Sequence, residues 1–352
     1  MTDWLSSMKQ TFEYYVVDPG TWKDTKKLDT VISCTINRDL ESDTLGSATI
    51  DIAEALGECY VRAYLITVQN GVTEKYPLGT FLVQTPTSSF DGKMKTITMD
   101  TYSPLLELKD NIPPIGYYIP KKENVMDFVY DLTSKNVRAP VVAPICSTKL
   151  FYDFVADPSD TWLTFLSDLM SNAKYSFDLD EMGRILFSPN QDTASLQPVW
   201  TYDDGNSSIL YPDITINRDL YGIPNVVEVI YSDGDYCYQT EIINDDPNSP
   251  ISTVNRGRKV IYRETNPSLI GDPTENKIDE YAKQLLRNLS TLEYTISYSH
   301  GYCPVRTGDC VRLNYSKAGL YGVKAKVISQ TITCEPGCPV TETAIYTTKL
   351  WG

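Results

Sequence analysis

A single histidine, His300, stands in 352 residues. A Ser-His-Asp or Cys-His centre therefore has one candidate base and no alternative to it. GxGxxG, GxxxxGKS/T and GxSxG are all missing, which removes the recognisable nucleotide loops and the nucleophile elbow. No run of 18 apolar residues occurs, so no membrane helix is expected. The opening MTDWLSSMKQTFEYY has neither a basic n-region nor an apolar h-region. No secretory signal is expected from it, and the chain is expected to stay in the cytoplasm where it is made. Positive charge is also short: 31 Lys and Arg face 46 Asp and Glu, a net charge of −15. That balance excludes a nucleic-acid wrapper, which needs a basic surface. The acidic surplus is spread out, with no block of five like charges to mark a tail.

Eight cysteines are present without a familiar CxxC pair. In a chain with no signal peptide they read as reduced thiols. The one tempting group is His300, Cys303, Cys310, Cys334 and Cys338, but its spacing fits no tetrahedral zinc pattern. Cys303 and Cys310 are expected beside a turn, and Cys334 and Cys338 at the two ends of a hairpin. Neighbouring carboxylates (Asp178 and Asp180, Asp203 and Asp204, Asp245 and Asp246) have the residue types of a glycosidase pair. With 46 acidic residues such neighbours arise by composition alone. The expectation is no catalytic site, no metal and no cofactor.

What is present is mostly period two. From Val31 to Tyr102 apolar and polar residues alternate: Ala48, Ile50 and Ile52 against Thr49 and Asp51, then Tyr60, Arg62 and Tyr64 against Val61, Ala63 and Leu65. LGTFLVQ and KMKTITMDTY continue the pattern, with SSFDGK as the turn between them. Five such strands predict a small barrel or sandwich. Beyond Pro104 the pattern changes. ENVMDFVYDLTS predicts a short helix with Val125, Phe128, Val129 and Leu132 on one face. DPSDTWLTFLSDLMSNAK predicts a stronger one, striped by Trp162, Phe165, Leu166, Leu169 and Met170 and capped by Ser159 or Asp160. YSFDLDEMGRILFSP follows as a hairpin turning at Gly183. The final third returns to strands, interrupted by a helix over Thr274–Ser290 with Ile278, Tyr281, Ala282, Leu285 and Leu289 as its stripe. The organisation read from this is three regions: 1–103 a β domain, 104–200 an α/β insert, and 201–352 a second β domain carrying a helix. The fold class is mainly β with a small α/β insert.

The hexapeptide TINRDL occurs twice, at Thr35–Leu40 and Thr215–Leu220, 180 positions apart (215 less 35). Each copy follows a strand-like stretch and precedes an alternating run. The repeat predicts one β domain used twice, with Ile36 and Ile216 in equivalent strands.

Several features together resemble the tail or baseplate hub proteins of tailed phages, a group related to the late-control D family and to the N-terminal part of type VI secretion spikes. They are the opening TINRDLESDTLGSATIDI, the Asn225–Val227 strand, and a DP.SP.S turn running into an Arg-Gly-Arg strand over Asp246–Arg258. Gly308–Val311 and a hairpin at Tyr321–Val323 complete the set. The likeness is one of order and pattern over most of the chain. It implies two tube-protein-like β-barrels per subunit and a homotrimer whose six barrels match a sixfold tail tube above and a threefold spike below. It also implies a place in the virion tail, at the baseplate or tail tip, after assembly in the host cytoplasm. Its partners would be the tube protein, the central spike or tail-tip protein and the tape measure protein, with DNA only passing through the lumen. Interfaces are expected to draw on the strand tyrosines and on the insert around Trp162. The 25 tyrosines and five tryptophans also admit a carbohydrate-binding or adhesive module.

Overall fold

Period-two sequence becomes antiparallel sheet wherever one face finds a core. The computed structural model describes residues 2–93, 95–218, 220–232, 236–267 and 274–351. Met94, Asp219 of the second hexapeptide, and Asp233 and Gly234 at the end of IPNVVEVIYSDG lie outside them. The chain is mainly β, with 46% strand and 15% helix, and no closed barrel is formed among the described residues. It separates into two compact units, Met1–Ile214 with Ser297–Ala344, and Thr215–Ile296 with Ile345–Gly352.

The first unit begins with β1 (Lys9–Val17), β2 (Asp24–Lys27), β3 (Val31–Asp39), β4 (Gly46–Ile52), β5 (Tyr60–Gln69), β6 (Val72–Phe90) and β7 (Lys95–Tyr102). The sequence pattern names the last five of these seven and misses the first two. β6 runs on through Ser88, Ser89 and Phe90, so the turn starts only at Asp91. In β4 the alternation is clean, with Ala48, Ile50 and Ile52 buried and Ser47, Thr49 and Asp51 half-buried. In β5 it fails: Tyr60 to Leu65 are buried on both faces, Arg62 included. Something covers the side that the sequence assigns to water.

That cover comes from the insert. It holds α1 (Leu106–Lys109), β8 (Tyr118–Ile119), α2 (Val125–Asn136), β9 (Phe154–Val155), α3 (Trp162–Ser171), β10 (Tyr175–Leu179) and β11 (Ile185–Pro189). The two longer helices pack together around Val125, Met126, Val129, Phe165, Leu166, Leu169 and Met170, each at most 1% exposed. Trp162 is part of this core at 6% exposed, so it is a packing residue and not a surface anchor. Thr161 caps α3, not Ser159 or Asp160. Its hydroxyl accepts from Thr164 N–H while Thr164 Oγ1 accepts from Thr161 N–H, a reciprocal capping box that outcompetes the two earlier residues. β10 and β11 pair with Phe177 opposite Phe187 and Leu179 opposite Ile185.

The chain then runs through β12 (Trp200–Asp203) and β13 (Leu210–Arg218) to the second unit. There β14 (Val226–Ser232), β15 (Cys237–Ile243), the one-turn α4 (Thr253–Arg256), β16 (Ile261–Thr265) and α5 (Glu275–Leu289) form a three-stranded sheet under a helix. Val227 and Val229 of β14 pack against Ile278, Ala282 and Leu286. Thr274 caps α5. The Arg-Gly-Arg segment is not a strand. Ser252 caps α4, Arg256 ends it, and Gly257 closes it in the left-handed conformation at φ 64°.

The last strands are β17 (Thr291–Gly301), β18 (Cys310–Tyr315), β19 (Leu320–Thr333) and β20 (Pro339–Lys349). Tyr321–Val323 lies inside β19, not at a hairpin; the turn is the short 3-10 segment Ser316–Ala318 with Gly319. In the first unit the strand path reads β20, β19, β3, β4, β7, β6, β5, β1, β2. β3, which carries the first hexapeptide, thus pairs with β19 from the far end of the chain.

Candidate functional site

The covered face of β5 centres on the turn of the insert hairpin, residues 180–184. Gly183 takes φ +74°, and a Cβ there would stand 2.7 Å from Thr80 Cβ, so the turn rests directly on β6. The Trp22 indole donates to Met182 O at 2.7 Å, and Arg62 Nη2 donates to the same carbonyl at 3.0 Å. Arg62 is 1% exposed, and its other nitrogens reach Thr80 Oγ1 at 2.7 Å and Asp24 Oδ1 at 2.8 Å. A guanidinium so buried is stable only with its donors used. Here three of them have acceptors.

Two further arginines hold the same turn. Arg306 Nε lies 3.0 Å from Glu181 Oε1; Arg306 Nη2 lies 3.3 Å from Asp178 Oδ1 and also donates to Leu179 O. Arg38, inside the first hexapeptide, donates to Gln330 Oε1 at 3.1 Å and Leu78 O at 2.8 Å and stands 3.6 Å from Glu181. Between these groups lies a cavity of about 40 Å³, lined among others by Arg38, Leu78, Glu181, Gly183 and Arg306. It is sized for one or two waters, not for a substrate.

A second buried polar group surrounds His300, which is fully buried. Its Nδ1 donates to Gly301 O at 2.6 Å, and its Nε2 lies 3.2 Å from Glu342 Oε1 and 3.0 Å from Tyr202 OH. Tyr298 OH donates to Glu342 Oε2 at 2.7 Å, and Gln330 Nε2 donates to Oε1 at 2.5 Å. Tyr202 OH also contacts Cys303 Sγ at 3.2 Å. Burial alone would lower the His300 pKa, but the Cys303 thiol and the Glu342 carboxylate outweigh it and lift the imidazole to about 10. Burial works against the Glu342 carboxylate too, yet the His300 contact, Gln330 and Tyr298 hold it below its usual value. The pair is an imidazolium–carboxylate whose lone pairs and protons are taken up by protein. Nothing in it is left to act on a ligand.

The candidates read from sequence are dispersed. His300 and Cys303 join this buried group, Cys310 opens β18, and Cys334 and Cys338 lie in the turn between β19 and β20. Among the described residues no cluster of three His, Cys, Asp or Glu could hold a metal. Asp178 is engaged by Arg306 and Ser188, and Asp180 by Arg184. Asp204 accepts from the Ser316 hydroxyl at 2.7 Å, and Asp203 and Asp246 accept from backbone N–H groups of their own turns. Asp245 is exposed. Arg38, Arg62, Tyr202 and Glu342 are what sequence reasoning missed. Only Arg38 had a signal, as the one basic residue of the repeated hexapeptide.

The described residues form a mainly β chain with a helical insert and buried ion pairs. No family model matches the chain, and no curated protein matches it by sequence. Solved structures do. The tail protein from Neisseria meningitidis MC58 aligns over 97% of this chain and 98% of its own at TM-score 0.61 and 13% identity. The 43 kDa tail protein of prophage MuSo2 from Shewanella oneidensis aligns over 95% and 98% at TM-score 0.60 and 12% identity. A Francisella PdpA-VgrG complex matches 98% of this chain and 53% of its own at TM-score 0.56 and 8% identity. The chain has the fold of phage tail proteins from end to end.

Proposed function

We propose that the protein is a structural tail hub: a homotrimeric, non-enzymatic component at the baseplate or tail tip of a phage or phage-tail-like particle. The observation that carries this reading is the end-to-end fold likeness to two tail proteins, with almost nothing left over on either side. In this reading the two hexapeptide strands, β3 and β13, hold equivalent places in two tube-like folds. Both copies bury the same phase: Cys34 and Ile36 in β3, and, less deeply, Ile214 and Ile216 in β13. Three subunits then offer six similar faces, which converts threefold into approximate sixfold symmetry with one interface geometry. The partners are a tail tube protein on one side and a spike or tail-tip protein on the other. Among the described residues no helix is long and apolar enough to cross a membrane. Co-expression with the neighbouring tube and spike proteins, followed by electron microscopy of the complex, tests the reading. Threefold particles with this chain between tube and spike are expected; a twofold dimer that binds neither would overturn it.

A further inference from the structure

Cys34 and Cys334 face each other across the ladder between β3 and β19. The register pairs Thr35 with Thr333, and one step further the Cys334 N–H donates to Cys34 O at 2.9 Å. Residues opposed in this way have Cα atoms about 5.5 Å apart, inside the roughly 4.4–6.8 Å that a disulfide spans. Both are free thiols. Cys34 is 2% exposed, whereas Cys334 is half-buried. Tyr14, on β1 and 7% exposed, lies against both. The Cys334 thiol beside it, together with burial, pushes the Cys34 thiol well up. The place matters as well as the pair. Along the strand path, β19–β3 is the step that joins β1–β7 to the strands from the end of the chain.

We propose that Cys34 and Cys334 form an oxidisable dithiol, converted by a small-molecule disulfide into an internal cystine that clamps the β3–β19 seam. The accessible Cys334 thiolate bonds to one sulfur of the small disulfide, whose S–S bond breaks and whose other half leaves as a thiolate. The Cys34 thiolate then bonds to the Cys334 sulfur and expels the second half. Two protein thiols give up two electrons and two protons, and the small disulfide becomes two thiols. The second step is slow at neutral pH, because the buried Cys34 is almost wholly protonated, and accelerates as pH rises. The cystine joins residues 300 positions apart (334 less 34). Stabilisation then comes from restricting the unfolded chain, and a loop that long gives a large effect.

The test uses the full chain with Cys237→Ser, since Cys237 is exposed and would form unrelated mixed disulfides. After incubation with oxidised glutathione, free thiols are counted in denaturant and linked peptides are mapped without reductant. A fall from seven thiols to five (eight native, less Cys237, less two) is expected, together with a 34–334 linked peptide. The thermal midpoint should rise by several degrees, reverse with dithiothreitol, and fail to rise in a Cys334→Ser variant. That variant changes the more exposed member, so the test survives even if Cys34→Ser does not fold. A Cys334–Cys338 link, glutathione retained on Cys334 without resolution, or seven thiols remaining would each overturn the proposal.

Discussion

At the residue scale the protein spends its charge internally. Arg62 sits on the phase of β5 that alternation assigns to water, whereas Glu342 is a carboxylate on the buried phase of β20, between Val340 and Ala344. Their burial follows from partners far away in sequence: Met182 is 120 positions from Arg62, and His300 is 42 positions from Glu342 (342 less 300). A local pattern carries no trace of such partners, so these residues were not legible. His300 was, as a lone histidine, but its role became clear only with Glu342 beside it. The pair has a defined pH signature. His300 is raised from 6.5 to about 10, so its contribution is complete below about pH 6.5 and disappears as pH rises through 10. Glu342 is held below 4.5, so its contribution is complete above that value and fades as pH falls through the folded pKa. Replacing Glu342 with Gln leaves the imidazole without its counter-charge and should cost about 3 kcal/mol near pH 6, the low end for breaking a buried pair. Urea unfolding at several pH values checks this. The gap between wild type and Glu342→Gln should narrow toward pH 10, and a gap that stays constant from pH 6 to 10 would contradict the ion pair.

At the scale of elements, legibility followed how local each signal was. The stripe of α3, the hairpin of β10 and β11, and the helix capped by Thr274 were all readable, because their apolar spacing and turn residues lie within a few positions of one another. β1 was not: Phe12, Tyr14, Tyr15, Val16 and Val17 put apolar groups on both faces, so no alternation marks it. The docking of the hairpin turn on β6 was equally hidden, and it gives a sharp prediction. Gly183 and Gly222 share φ +74°, but only Gly183 has a neighbour where a Cβ would go. Gly222→Ala should cost about 1 kcal/mol, the left-handed backbone term alone. Gly183→Ala carries that term plus the contact with Thr80, for a total of about 2–3 kcal/mol. Denaturant midpoints of the two variants make the comparison, and equal losses would mean that the turn does not bear on Thr80.

At the scale of the whole molecule, the two hexapeptides are used differently, and the difference bears on assembly. Arg38 of the first copy is 13% exposed and committed to Gln330, Leu78 and Glu181. Arg218 of the second copy is exposed and lines an open groove with Asn217, Tyr221, Ile223 and Glu293. The two copies of the hexapeptide therefore differ: one arginine is turned inward and the other faces solvent. The insert supplies further surface in Ile115, Phe151 and Tyr152, each more than 80% exposed, while Trp162 stays in the core. If Arg218 serves a neighbouring subunit or tube protein, Arg218→Glu should leave the monomer's thermal midpoint within about 1 °C while assembly into the complex falls at least tenfold. A buried role would instead lower the midpoint. Sedimentation of the variant alone and with its co-expressed neighbours separates the two outcomes, and normal assembly of Arg218→Glu would remove the second hexapeptide from the interface.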